Sequence, residues 1–486
     1  MRDEGRISRR TLLTAAGFAA GLTALPAAAR ATGRIPYLAT GSSLTAHPVA
    51  PWFAAAKFGV FIHWGAYAVP AWGDARHSAE WYSYAMNVAD PARGTGTREH
   101  HLLTYGRDAD YDAFLPRFTA RRYDPRDWVR LFQEAGARYF VLTAKHHDGF
   151  QLFGNAVSDR NSVVLGPRRD LVGELFSAAE HTGLKRCLYY SLGEFYNPAL
   201  GTPPRNPYTG VEIPYTGYRP VADYVTGYEH AHLKTLIDRY DPDLLWADGQ
   251  GYHEFGGGPI FRPRVWDWRS DEILAYFYNQ AANRPRPKDV VANDRFEASH
   301  ADYVTVEGDK AYVPRPAPWE ACLTMGSSWG YSENEDPAKI KPSARLLALL
   351  VDIVSKNGNL LLNIGPRADG TIPGWMRRRL TDIGAWLRVN GRAVYGSVPW
   401  LRYGDGELRY TRTRDAFHVI APSWPGRCLA LPGDLPIGAG SRVRLLGGHG
   451  APLPWARTSG GIVVDLPRLP GGVREEFPVV LAVTAR

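Results

Sequence analysis

Nine polar or aromatic residues of this 486-residue chain stand directly at the ends of short apolar runs: His63, Trp64, His146, His147, Tyr190, Asp248, Arg295, Glu307 and Asn363. If those runs are strands brought together at one mouth, the side chains form one constellation. Carboxylates on separate strands, with imidazoles and aromatic rings to hold hydroxyl groups, suit glycoside hydrolysis. That chemistry needs one ionised carboxylate as nucleophile or base and one protonated carboxylic acid near the leaving oxygen. Taken singly, each residue has a plainer reading. An Asp-Gly after a strand, as at Asp248-Gly249, serves equally as a turn or a cap. Glu307 serves equally as a surface carboxylate beside Lys310. The pair His146-His147 fits a satisfied core or a metal site, and both rings reach one ligand only if the strand ends there, because neighbours on a strand face opposite ways.

The runs that must position these residues are regular. Lys57 to Ile62 leads into His63-Trp64-Gly65, and Tyr139 to Thr143 into Ala144-Lys145-His146-His147-Asp148-Gly149. Lys185 to Tyr190 follows, then Leu244 to Ala247 before Asp248. Val290 to Ala292 precedes Asn293-Asp294-Arg295, and Tyr303 to Val306 precedes Glu307. Ala321 to Met325 and Asn359 to Leu362 complete eight apolar runs, each turning abruptly polar. Amphipathic stretches separate many of them. Asp124-Pro125 is a cap with Pro at the first helical position, Trp128, Leu131, Phe132 and Ala135 follow at helical spacing, and Gly136 stops the run. Asp170 caps a second stretch, Val225 to Ile237 forms a third, and Leu346 to Val354 a fourth closed by Asn357-Gly358. Strands alternating with helices predict an α/β fold, and eight of them a closed (β/α)8-like TIM barrel with its reactive groups at the C-terminal strand ends. Beyond residue 395 the pattern changes to short alternating runs between Gly- and Pro-rich turns, which predicts a small C-terminal antiparallel β-sandwich.

Composition excludes several classes. The formal charge of +8 is mild and dispersed, with no basic stripe carrying interleaved aromatics, so nucleic acid is not an expected partner. Cys187, Cys322 and Cys428 lie far apart, offer no metal-ligand spacing, and read as buried thiols. No metal and no cofactor is expected. The 15 Trp and 26 Tyr supply flat apolar faces with polar tips, which suit sugars as well as large cores. At the N-terminus, Ser8-Arg9-Arg10-Thr11-Leu12-Leu13 is a twin-arginine pattern followed by an apolar run to Leu25, with Ala-x-Ala options at Ala27-Ala28-Ala29 and Ala29-Arg30-Ala31. It reads as a signal peptide over 1–31, too short and too rich in Ala and Gly for an anchor, and places the working chain in the periplasm or outside the cell. The expected order is then a linker over 32–50, a catalytic barrel over 51–395 and the sandwich over 396–486, with no membrane span in the mature chain.

Nine motifs in chain order give the sequence a resemblance to the α-L-fucosidases of glycoside hydrolase family 29. They begin at Trp52-Phe53 with Ala56-Lys57-Phe58-Gly59-Val60-Phe61-Ile62-His63-Trp64-Gly65, and continue through Glu80-Trp81-Tyr82 and Ala144-Lys145-His146-His147-Asp148-Gly149-Phe150. The run from Tyr189 to Pro198, Leu245-Trp246-Ala247-Asp248-Gly249 and Asn293-Asp294-Arg295 come next. Trp319-Glu320, Ser328-Trp329-Gly330-Tyr331 and Leu361 to Pro366 complete the series. The resemblance implies an exo-acting hydrolase of terminal α-L-fucosyl linkages, working by a retaining double displacement with Asp248 as nucleophile. It implies that His63, Trp64, Trp81, His146 and His147 stand where fucose is held, that Tyr190 and Arg295 flank the nucleophile, and that Trp329 faces the methyl group of the sugar. For the acid/base it offers both Glu307 and Glu320, with Glu307 preferred because it ends a strand. The implied partner is a fucosylated oligosaccharide or glycoconjugate. Two other classes stay open on the residues alone: a sugar-binding protein without catalysis, and a metal-dependent hydrolase centred on His63, His146 and His147.

Overall fold

The computed structural model describes residues 36–74, 77–87, 96–195, 223–249, 267–469, 471 and 474–484. The segment 1–31 read as a signal peptide lies outside them, as does the motif beyond Phe195. Eight parallel strands form one curved sheet: β1 (Phe58–Ile62), β2 (Tyr139–Lys145), β3 (Lys185–Ser191), β4 (Leu244–Asp248), β5 (Val291–Ala292), β6 (Val304–Glu307), β7 (Trp319–Thr324) and β8 (Gly358–Ile364). Their order is β5-β4-β3-β2-β1-β8-β7-β6, so each apolar run of the sequence is a strand of one barrel wall. The strands β1, β2 and β8 are buried throughout, which is the pattern of a parallel sheet covered on both faces.

Helices follow where the caps predicted them. The Asp124 carboxylate accepts from the backbone of Arg126 and Asp127 to start the helix Pro125–Glu134. Gly136, at φ 78°, then makes the left-handed turn toward β2. Asp170 caps Leu171–Ala178 by accepting from Gly173 N–H. The helix His230–Tyr240 is entered through a π-helical turn, Val225–Glu229, and stopped by Asp241 in the left-handed region. Three further helices, Pro51–Ala56, Ser270–Asn283 and Gly374–Asn390, carry no strong sequence signal.

Inward side chains fill the barrel with a separate core that includes Phe61, Tyr139, Tyr189, Trp246, Tyr303 and Leu361. Its lower end is closed by Phe53 and Ala50. The stretch read as a linker is packed: His47 stacks on Tyr278 at 3.6 Å between ring centroids, and its Nδ1 meets Asp302 Oδ1 at 2.8 Å. After residue 397 come a five-stranded antiparallel sheet, in the order β13-β16-β11-β10-β9, and a three-stranded sheet, β12-β15-β14. These strands are β9 (Val398–Asp405), β10 (Leu408–Arg412), β11 (Phe417–Ala421), β12 (Cys428–Leu431), β13 (Arg442–Leu445), β14 (Trp455–Thr458), β15 (Gly461–Asp465) and β16 (Val479–Thr484). The two sheets enclose Val419, Val443, Val464 and Leu481 as a sandwich core. This sandwich is fastened to the barrel helices by Trp386 Nε1 donating to Pro478 O at 2.7 Å and by Arg409 on Asp352 at 2.6 Å. Of the three thiols read as buried, Cys187 and Cys322 are buried but Cys428 is exposed, because it opens a strand at the rim of the small sheet. Among the described residues no helix is long and apolar enough to cross a membrane.

Candidate active site

A cavity of about 180 Å³ opens at the C-terminal ends of the strands. Its walls include His63, Trp81, His146, His147, Asp248, Arg295, Glu307 and Trp329, eight of the residues singled out in the sequence. They come from separate elements: His63 follows β1, the histidine pair follows β2, Asp248 ends β4, Arg295 follows β5 and Glu307 ends β6. Both histidines reach the cavity because β2 stops at Lys145, so the strict alternation of faces stops with it.

Asp248 is held from three sides. Tyr189 Oη donates to Oδ2 at 2.8 Å, Arg295 Nη1 donates to Oδ1 at 3.1 Å, and His147 Nε2 stands 3.4 Å from Oδ2. Burial opposes its ionisation, but the His147 contact, the Arg295 charge and the Tyr189 hydroxyl together hold the carboxyl well below the usual range. The ionised form is the favoured one. Arg295 makes a second ion pair: Nη2 donates to Glu307 Oε2 at 2.7 Å. One guanidinium therefore spans Asp248 and Glu307. The Glu307 side chain is 46% exposed against 15% for Asp248, so the first faces the open rim and the second the enclosed floor.

Burial keeps two of the imidazoles, His63 and His146, in their neutral form. Burial brings His63 down to about 3 despite the contact of its Nδ1 with Asn363 Oδ1 at 2.8 Å. Burial, and then the neighbouring His147, His63 and Lys145, bring His146 well below its ordinary value. A neutral imidazole offers one donor and one acceptor, the pair that a sugar hydroxyl needs. His147 Nδ1 pairs with Ser191 Oγ, fixing its ring toward Asp248. Among the described residues no group of three or more His, Cys, Asp or Glu side chains is arranged to hold a metal ion.

Four sequence-named residues lie outside the cavity wall. Asn363 stands behind it, its Oδ1 2.8 Å from His63 Nδ1 and its Nδ2 donating to Trp329 O at 2.7 Å. Trp64 points outward from the barrel, packed against Phe118, Tyr123 and Trp128, with its indole N–H on Arg367 O at 2.9 Å. Tyr190 also faces outward, its hydroxyl 2.9 Å from His232 Nδ1 and its ring under the Lys145 ammonium at 4.4 Å. In both cases the neighbour one residue back occupies the inner face, His63 and Tyr189 respectively. A shift of one position on a strand exchanges core for helix layer. Glu320 is inside the barrel but below the cavity. Tyr139 Oη donates to its Oε2 at 2.5 Å, while Trp246 Nε1 and Tyr303 Oη donate to Oε1 at 2.8 and 3.4 Å.

The sequence reading assigned no role to Glu80, Tyr189, Phe61, Trp246, Phe195 or Cys322, all of which line the cavity. Parity would have found two of them: Phe61 and Trp246 lie two residues before His63 and Asp248 on their strands. Glu80 is buried, accepts from Gly330 N–H at 2.9 Å and from Ser78 Oγ, and burial raises its carboxyl above the ordinary range. It sits in a short helical turn, where no strand parity applies.

An Alpha-L-fucosidase sequence profile matches residues 24–392. The chain belongs to the alpha-L-fucosidase family. It is a glycoside hydrolase, as its relatives indicate over nearly their whole length. It is 34% identical to the tissue alpha-L-fucosidase of Rattus norvegicus over 485 residues, 96% of each chain. It is 34% identical to the alpha-L-fucosidase of Dictyostelium discoideum over 75% of each. Its fold is similar to that of Thermotoga maritima alpha-fucosidase in complex with a mechanism-based inhibitor, with a TM-score of 0.77 and 33% identity over 92% of this chain and all of the other. The same enzyme in complex with fucose gives a TM-score of 0.75 at 34% identity. The family spans the barrel and with it every residue of the cavity.

Proposed function

We propose that the chain is an exo-acting, retaining α-L-fucosidase in which Asp248 is the nucleophile and Glu307 the acid/base. The observation that carries this reading is the Arg295 guanidinium bonded to both carboxylates at once. A single planar fork keeps its two acceptors close, which favours the ~5–5.5 Å carboxyl separation of retaining enzymes over the ~6.5–9.5 Å of inverting ones. In the first step the Asp248 carboxylate attacks the anomeric carbon, the glycosidic C–O bond breaks, and the aglycone oxygen leaves with the Glu307 proton. In the second, Glu307 takes a proton from water, the water oxygen displaces Asp248 from the same carbon, and the configuration is restored. The exposed position of Glu307 suits this role, since aglycone and water both arrive from the rim. The cavity's size suits one sugar ring, and its aromatic wall at Trp329 and Phe61 suits the methyl group of a 6-deoxy sugar.

Glu320 competes on acidity alone. Burial lifts it to about 7, the range a general acid needs, with its three hydrogen-bond donors pulling the other way. Reach comes before acidity, however, and its oxygens are engaged by Tyr139, Trp246 and Tyr303 beneath the cavity. The test is Asp248→Gly on an aryl α-L-fucoside with and without azide. Loss of turnover, restored by azide with formation of a β-fucosyl azide, is expected; full turnover in the variant refutes the assignment. The twin-arginine pattern at Arg9-Arg10 supports export of the folded enzyme, and retention of an Arg9→Lys, Arg10→Lys variant inside the cell is the matching test.

A further inference from the structure

The barrel wall has a seam. β5 and β6 are the two ends of the sheet order, joined by an isolated bridge, Asn293 to Tyr303, and by the bonds Asp302 N–H makes to Ala292 O and Ala292 N–H to Asp302 Oδ2 at 3.1 and 2.7 Å, all short of β6 itself. The seam falls between the strands that lead to Arg295 and Glu307, where the two carboxylates of the proposed mechanism must be kept in register.

Three consecutive residues after β5 do the work that a backbone ladder does elsewhere. The Asn293 side-chain amide extends the pairing with β4: its Oδ1 accepts from Ala247 N–H at 3.0 Å and its Nδ2 donates to Ala247 O at 3.0 Å. This fixes the residue next to the nucleophile. Asp294 reaches the other way, across the seam. Its Oδ1 accepts from the backbone N–H of Thr305 at 2.9 Å and from the Thr305 hydroxyl at 2.8 Å. Arg295 spans both sides, with Nε donating to Thr305 Oγ1 at 3.0 Å, Nη1 to Asp248 and Nη2 to Glu307.

The proton count at Thr305 sets the direction of this chain. A hydroxyl has one proton and two lone pairs. Arg295 Nε–H can only donate, so it takes a lone pair of the hydroxyl and the Thr305 proton goes to Asp294 Oδ1. The guanidinium is thereby anchored at the one nitrogen that neither carboxylate uses. Without that anchor, a rotation about the end of the long Arg side chain would move both Nη atoms, and with them the spacing of Asp248 and Glu307. The Arg295 plane also rests on the Trp246 ring, with Cζ 4.7 Å from the ring centroid, which limits tilt but leaves rotation within the plane to the Nε bond.

We infer that Thr305 and Asp294 are positioning residues, which set the separation of the catalytic carboxylates across the β5–β6 seam by fixing the Arg295 guanidinium. The inference rests on Asp248 and Glu307 being the reacting pair. Neither residue lines the cavity, so their contribution is expected on the chemical step rather than on binding. Misplacing reacting groups by about 1 Å costs on the order of 10²-fold in rate.

The experiment compares Thr305→Val, which keeps shape and loses the hydroxyl, with Thr305→Ser, which keeps the hydroxyl, and with Asp294→Ala, which removes the acceptor, as a second route should the valine variant fold poorly. Steady-state kinetics on an aryl α-L-fucoside are read across pH, with the melting temperature alongside. Expected for Thr305→Val is a fall in kcat toward that 10²-fold level with KM little changed, and a rise in the acidic limb of the kcat/KM profile as Asp248 loses the aligned cation. Thr305→Ser is expected to restore most of kcat and the wild-type limb. Wild-type kcat and an unmoved limb in Thr305→Val and Asp294→Ala overturn the inference, as does a serine variant as slow as the valine one. If that occurs while Asp248→Gly is inactive and rescued by azide, the seam inference alone falls; if Asp248→Gly keeps full turnover, the mechanism falls and takes the inference with it.

Discussion

The Tyr189 hydroxyl donates to Asp248 Oδ2 at 2.8 Å, from the neighbouring strand and on the same face of the sheet. In the parallel register of β3 and β4, Ser191 pairs with Asp248 and Tyr189 with Trp246, so the phenol rises one layer to meet the carboxylate. Its neighbour Tyr190 has the same chemistry and the opposite surroundings, 1% exposed among His232 and Lys145. Tyr189→Phe is expected to lose roughly 10- to 100-fold in kcat/KM, the equivalent of a hydrogen bond to a charged group at about 1.5–3 kcal/mol. Tyr190→Phe is expected to keep kcat and KM and lower the melting temperature slightly. Equal kinetic effects at the two positions would contradict the assignment of faces.

Glu307 and Glu320 separate on substrate dependence. In the proposed mechanism Glu307→Gln removes the proton donor, so hydrolysis of a poor leaving group is expected to fall by about 10²–10⁴-fold while an activated aryl fucoside is still expected to form the fucosyl-enzyme. Azide should then yield the α-fucosyl azide, because Asp248 is intact. Glu320→Gln alters a carboxyl that three interior donors hold in place. It is expected to act on stability and on the tilt of Trp246, with no dependence on leaving group. Leaving-group dependence in the glutamine variant at 320, and none at 307, would exchange the roles.

Much of this site was legible before any coordinates. Alternating apolar runs and capped helices are local signals, and they located the eight strands to within two residues or so at each end. The polar residues after those runs converge because a parallel barrel puts all C-terminal strand ends at one mouth. What the sequence could not show was facing. The runs at β1 and β3 are apolar on both faces, since the sheet is covered on both, so no polar alternation marks His63 against Trp64 or Tyr189 against Tyr190. The surroundings of Glu320 were hidden for a related reason: it is a polar residue in the barrel interior, bonded by tyrosine and tryptophan donors brought from β2, β4 and the residue before β6. Glu80 needed the tertiary fold, because it enters the cavity from a loop turn after β1.

Acid should destabilise the fold through its neutral histidines. His63 sits at about 3 against an unfolded value near 6.5, so below about pH 6.5 the unfolded chain takes a proton that the folded one refuses. The sign follows: this stability is complete above pH 6.5 and is lost as pH falls toward 3. His146 is shifted the same way by burial. Asp248 adds to the loss at lower pH, because its depressed carboxyl protonates more readily once unfolded. Each such group contributes up to about 1.4 kcal/mol per pH unit within its window. Thermal melts from pH 7 to pH 4 should show a falling melting temperature, with a shallower slope in His63→Asn. A flat profile in the parent enzyme would mean that these imidazoles are protonated in the fold.

Trp64 offers the sharpest contrast between holding the fold and holding the sugar. It lies 1% exposed in an aromatic cluster outside the barrel wall, with ring centroids 4.9–5.1 Å from Tyr123, Trp128 and Phe118. Truncating a buried Trp to Ala removes its transfer energy and leaves a cavity, a cost of ~3–5 kcal/mol. Trp64→Ala should therefore lower the denaturation midpoint strongly while the folded fraction keeps its KM for an aryl fucoside. Trp329 is only partly buried and stands in the cavity wall, with its ring 5.0 Å from His63. Trp329→Ala should raise KM with a small effect on the midpoint. The two tryptophans are read out by the same pair of measurements, a urea titration and a KM, with opposite expected outcomes. A raised KM in Trp64→Ala at full folded population would return that ring to the sugar site.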